Sequence, residues 1–194
     1  MLGLREVFPL QARFDFAAAG DALNALDLGP LNRELASHWL SLWKNDAPPT
    51  RGAINPARMK AFLPGLAIMG LYPDDTIRFR IAGTVFKSAF GFDPTGHDML
   101  ALTAPEQRAD RLARCRRLAF DTVAVGIRLS ARTGEPDMIA QDLMLPLSGV
   151  NKDGSRSWLF HNSWRPNGGE WRGGLTLRAL GMTETFVARV LRPI

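Results

Sequence analysis

The stretch that most constrains this chain is residues 76–96, TIRFRIAGTVFKSAFGFDPTG, in which the apolar period changes part-way along. Ile77, Phe79 and Ile81 alternate with Thr76, Arg78 and Arg80, the period of a half-buried strand. Beyond Gly83, Val85, Phe86, Ala89 and Phe90 recur at helical spacing, with Thr84 placed to cap the start and Gly91 to stop it. A strand that passes through a glycine into one short helix satisfies both periods. It also brings Phe86 and Phe90 against the strand's apolar face, where they would form a pocket wall. Asp93-Pro94 and Thr95-Gly96 then turn the chain.

Upstream, residues 1–29 mix Phe8, Phe14 and Phe16 with charges and carry only weak periodicity, so they read as an N-terminal arm. From Pro30, Leu31, Leu35, Trp39, Leu42 and Trp43 make one apolar stripe of an amphipathic helix. Such a stripe covers the domain's own sheet or forms a dimer contact, with Leu35, Trp39, Leu42 and Trp43 as the interface. Pro48-Pro49 ends this helix, and a short helix capped by Asn55, with Pro56 first, stops near Pro64. Residues 66–72 read as a strand, turned by Pro73-Asp74-Asp75 into the strand of the opening stretch.

Downstream, a long helix is expected from Pro105 to about residue 121, capped at Thr103 or Ala104. Leu112, Cys115 and Ala119 form its inner face, and Arg108, Arg111, Arg114, Arg116 and Arg117 lie mainly elsewhere. Three strands follow, at residues 122–130, 137–147 and 156–164, joined by short turns. The second sets Ile139, Gln141, Leu143, Leu145 and Leu147 on one side, and the third Trp158, Phe160, Asn162 and Trp164. The terminal segment ends in a short helix near residues 183–191. The economical fold is α+β: a five-stranded antiparallel sheet with short helices and one long helix on one face, preceded by the N-terminal amphipathic helix.

The chain has 194 residues, 46% of them hydrophobic, enough for one domain with a core. Its formal charge of +5 is a modest excess that does not establish nucleic-acid binding, and no helix-turn-helix or zinc spacing accompanies the arginine helix. Nucleic acid is not an expected partner. A single cysteine, Cys115, fits a reducing compartment, and the N-terminus lacks a secretory apolar run. No membrane span is expected, and the reading is cytoplasmic.

The run R-F-R-I-A-G-T, followed by F-G and T-G, carries a family likeness. With it go Trp39-x-x-x-Trp43, the proline pair, Asn55-Pro56, Leu63-Pro64 and Leu145-Pro146-Leu147. Together, in this order, they resemble the PAS sensory domains, in particular a bacterial group in which one PAS domain makes up most of the chain. The likeness runs over residues 30–165, which form the PAS-like domain with its N-terminal helical cap, and leaves residues 166–194 as a C-terminal extension. Ala53-Ile54 stands where that group usually has an acidic residue, and Phe92-Asp93-Pro94 replaces a more basic turn. The resemblance implies a small ligand enclosed between the concave sheet face and the short helices, held by polar groups on the inner strands.

Gln141 and Asn162 interrupt otherwise apolar rows, and a buried amide without a partner costs about 1–3 kcal/mol. The expected ligand-binding set is therefore Phe86, Phe90, Gln141, Leu143, Phe160 and Asn162; the alternative is that both amides bond to backbone or water inside a filled core. A one-residue slip in register moves either amide to the other face. His38, His97 and His161 lack a metal-ligand spacing, so no metal is expected, and His97 reads as a turn residue rather than a haem ligand. The ARCRR context of Cys115 differs from the Asn-Cys-Arg segment of light-sensing relatives. No particular cofactor is expected, haem and flavin least, and the reading leaves room for a small organic ligand.

Catalytic motifs are not found: no G-x-S-x-G, no phosphate loop, and Asp142 falls on the face opposite Gln141. The chain reads as a non-enzymatic, stand-alone sensory module that binds a largely apolar molecule and signals by contact with a downstream protein, with a homodimer as its expected state. The second reading is a ligand-free interaction or dimerisation module.

Overall fold

The computed structural model describes residues 28–45, 47–120, 124–132, 138–166, 172–173 and 182–190. The expected arm thus lies outside the described residues except at 28–29. Helix α1 spans Pro30–Ser41, three 3-10 turns lie at Arg51–Ala53, Pro56–Arg58 and Leu63–Gly65, and strands β1 and β2 are Leu66–Leu71 and Ile77–Ala82. Helices α2 (Thr84–Phe90) and α3 (Pro105–Phe120) follow, then β3 (Ala124–Arg132), β4 (Met138–Pro146), β5 (Arg156–Pro166), β6 (Arg172–Gly173) and β7 (Met182–Val190).

All strands belong to one antiparallel sheet in the order β2-β1-β5-β4-β3-β7, with β6 on β5. Among the described residues seven strands stand where five were expected. The two additions come from the C-terminal segment, and the helix expected at residues 183–191 is strand β7, which pairs with β3 from Met182 to Val190. The segment MTETFVARV, with Thr183, Thr185, Val187 and Arg189 alternating with Glu184, Phe186 and Ala188, is rich in β-branched residues, and pairing along nine positions overrides a weak helical pattern.

Local chemistry explains the connections. Asn55 accepts the Ala57 N–H at 3.0 Å and starts the second 3-10 turn with Pro56 first. Gly91 ends α2 at φ +75°, a left-handed conformation that suits glycine, and its N–H donates to the Lys87 carbonyl at 2.9 Å. Thr84 is the first residue of α2 rather than its cap, which is Gly83. Thr103 turns its hydroxyl back to the Met99 carbonyl at 2.7 Å instead of capping α3.

Two apolar clusters lie on opposite faces of the sheet. On one, α1 and the 3-10 turns cover β1, β4 and β5 through Leu35, Trp39, Met59, Phe62, Ile68, Leu143, Leu145 and Leu159. On the other, α2 and α3 cover the same strands through Phe79, Phe86, Cys115, Leu118, Met69, Met144, Trp158 and Phe160. The helices thus divide between two faces, so the expectation of all short helices on one face is corrected. The central strands are buried on both sides. Trp39 donates its indole N–H to the Pro146 carbonyl at 2.9 Å and meets Trp43 edge-on, ring centroids 5.1 Å apart.

Candidate functional site

Strands β4 and β5 send alternate residues to the two faces, and this separates the residues that the sequence placed in one pocket. Phe86, Phe90, Phe160 and Asn162 come together on the α2–α3 face, whereas Gln141 and Leu143 lie under α1. The six residues therefore do not share one face, and only Phe86, Phe90, Phe160 and Asn162 remain together. Asp142 takes the inward place that had been given to Gln141, directly across the ladder from Asn162.

The inner face is built on a row of aromatic rings in contact. Phe79 of β2 lies 5.8 Å from Phe86 and 5.9 Å from Phe90, and Phe86 lies 5.6 Å from Phe160 of β5. These contacts are tilted or edge-on, and edge-to-face is among the arrangements aromatic pairs favour. Two residues beyond Phe160, Asn162 donates an amide N–H to the Asp142 carboxylate at 2.5 Å. That bond fixes the amide's orientation, because a carboxylate can only accept. The Asn162 Oδ1 atom is buried and has no hydrogen-bond partner among the described residues. Arg128 of β3 is the ladder partner of Asp142, which places a cationic residue type at the next register position.

The opposite face holds a closed polar network. Asn32 on the first turn of α1 donates through Nδ2 to Gln141 Oε1 and to Ser163 Oγ, both at 2.9 Å, and to the Gln141 backbone carbonyl at 3.3 Å. Gly29, just before α1, donates its N–H to the same Gln141 Oε1 at 2.9 Å. Since a main-chain carbonyl only accepts, Asn32 Oδ1 faces His161, and neutral His161 donates its Nδ1–H to it at 2.6 Å. Gln141 is thus the clamp for the N-terminal end of α1, an outcome of the alternative reading in which the amide bonds within the protein.

Burial pushes the His161 pKa down to about 4 from its ordinary 6.5. The unfolded chain then binds more protons than the folded one below the ordinary value, so stability rises with pH there. His161 should contribute its full share above about pH 6.5 and lose it progressively as pH falls toward about 4. Urea denaturation across that window checks this, and His161→Gln, which keeps a donor for Asn32, should flatten the dependence.

Of the interface residues of the sequence reading, Leu35, Trp39 and Trp43 pack into the chain's own core. Leu35 and Trp39 are fully buried against the chain's own sheet, Trp43 packs beside them, and Leu42 is the half-buried C-cap of α1. His97 is exposed in its turn beside Phe92, and Cys115 is buried on the inner side of α3. Among the described residues no three His, Cys, Asp or Glu side chains gather as metal ligands, and no helix is long and apolar enough to cross a membrane.

A family model described as the PAS domain matches residues 29–158, more than half of the chain. This chain belongs to the PAS domain family. Its mixed helix and antiparallel-sheet architecture is that of an α+β PAS-like fold, and membership points to a sensory or regulatory module. Comparison with curated proteins and with solved structures returned no match.

Sequence reasoning missed Asp142 as an inward residue and His161 as part of the α1 clamp. The usable signal was the pairing itself: Asn162 and Asp142 face each other only in the register that also brings Gln141 opposite Ser163.

Proposed function

We propose that this PAS domain senses a small, largely apolar molecule held against the inner face by Phe86, Phe90, Phe160 and Asn162. The observation that carries the reading is the buried Asn162 Oδ1, an acceptor with no partner among the described residues at the end of an aromatic row. An unmet buried acceptor is costly, and a ligand N–H or O–H supplied there recovers that cost. The ligand is therefore apolar over most of its surface, with at least one donor.

The same strands supply the route outward. Asn162 lies between His161 and Ser163, Phe160 precedes His161, and Asp142 follows Gln141, so the strand residues that would register the guest adjoin ones that hold Asn32 and α1. A ligand that binds better when these strands are displaced shifts the population toward a loosened α1, in proportion to its differential affinity. A downstream protein would read that helix.

The test is native mass spectrometry of the full chain purified from its own host. Excess mass retained in the native spectrum and lost on denaturation is the expected result, and Asn162→Leu should abolish it while circular dichroism stays unchanged. A variant that keeps the full excess mass would remove Asn162 from the site, and bare protein from the host would remove the ligand.

A further inference from the structure

A second apolar site lies outside the inner face. The first two strands and the 3-10 turns enclose a groove of about 470 Å³, within the range of small-molecule sites. Ile68 and Ile81, partners across the β1–β2 ladder, line it, with Ile54, Met59 and Leu63 from the 3-10 turn region. Gly83 sits with its Cα close to the carbonyls of Leu63 and Pro64 and so joins strand to turn. Ile81 is 49% exposed and Leu63 39%, which leaves contiguous apolar surface open to solvent.

The charges at this groove have one sign. Among the described residues, Lys60 and Lys87 are its only charged lining residues, and no carboxylate lines it. Lys87 shares its ammonium with Asp93 at 2.7 Å, with both side chains half exposed, and Lys60 has no ion-pair partner among the described residues. Thr84 is the remaining polar side chain. A lining this poor in hydrogen-bonding groups does not suit a sugar or a nucleotide. It suits an alkyl chain that ends in an anion.

We propose that the groove binds a fatty carboxylate, with its alkyl chain over Ile68 and Ile81 and its head group between Lys60 and Lys87. The site is separate from the inner face and stands or falls without it.

Dodecanoate, added to the full chain below the concentration at which it forms micelles, is the probe, read by methyl NMR. The expected result is saturable shifts at Ile54, Met59, Ile68 and Ile81, with Met69 and Met144 of the inner face unmoved. Ile81→Asp, at a half-exposed position, should leave the far-UV circular dichroism unchanged and weaken binding by about tenfold or more, since it sets a carboxylate against the chain. Lys60→Met and Lys87→Met should each weaken it about two- to fivefold, the scale of an exposed ion pair. Dodecanol, equal in chain but uncharged, should bind more weakly than dodecanoate. The proposal is overturned by any of four results: no saturable shift, shifts at Met69 and Met144 instead, dodecanol binding as tightly, or affinity unchanged in Ile81→Asp. An acidic amphipathic peptide that shifts the groove methyls while dodecanoate does not would reassign the groove to a protein partner.

Discussion

Trp39→Ala should destabilise the domain by about 3–5 kcal/mol, the range for truncating a fully buried tryptophan. The residue is fully buried among Leu35, Leu145, Leu147 and Leu159, and its indole N–H reaches the Pro146 carbonyl at 2.9 Å. Alanine leaves a cavity between α1 and the sheet that the strands, packed on both sides, have little freedom to fill. Trp39→Phe keeps one ring but loses the second and the donor, so an intermediate loss of about 2 kcal/mol is expected. Urea unfolding at several protein concentrations separates the two roles first considered for the stripe. A loss independent of concentration marks Trp39 as part of this chain's own core, and a loss that vanishes on dilution of the parent protein marks a contact between copies.

Gly83→Ala carries the other large effect. A Cβ added there would lie 2.2 Å from the Leu63 carbonyl oxygen and 2.4 Å from that of Pro64, closer than real Cβ atoms approach. Both obstacles are backbone, so β2 must move away from the 3-10 turn. A cost of about 3 kcal/mol is expected, at the upper end for overpacking, which lowers Tm by about 6–12 °C in a chain of this size. Gly91→Ala is the control. Gly91 has φ +75° with open space around it, so alanine meets only the backbone penalty of about 1 kcal/mol. Equal Tm shifts for the two variants would show that contact with Leu63 and Pro64 is not what Gly83 provides.

Much of the fold was legible where period and punctuation agree. The passage from β2 through Gly83 into α2, the Asn55 cap and the Gly91 stop each rest on local chemistry, and the structure places all three as their residues suggest. The face of β4 was not legible, and the reason is physical. Leu143 and Leu145 point to α1 while Met144 points to α3, so the strand is apolar on both sides and its alternation carries no sign. Asn162 was read inward and lies inward, because Trp158 and Phe160 mark its row. Gln141 was read onto the same side and lies on the other, where α1 supplies Asn32 and the Gly29 N–H as partners more than a hundred positions distant in sequence. No local pattern encodes a partner that far away. The terminal strand β7 failed for a related reason: its pairing with β3 is long-range, and only the sheet reveals it.

Strand β2 ends the sheet, yet it does not offer a bare row of backbone groups. Residues beyond α2 fold back on it: Phe79 donates its N–H to the His97 carbonyl at 3.3 Å and accepts from Gly96 at 2.7 Å, Met99 donates to the Ile77 carbonyl at 2.6 Å, and the Ile77 N–H is taken by the Asp98 carboxylate at 3.0 Å. The loop therefore acts as a sheath against strand addition, and over Ile77 to Phe79 it covers the edge in addition to the charges of Arg78 and Arg80 on the strand itself. Changes in that loop, which touches neither the inner face amide nor the α1 clamp, would be felt first as lost solubility.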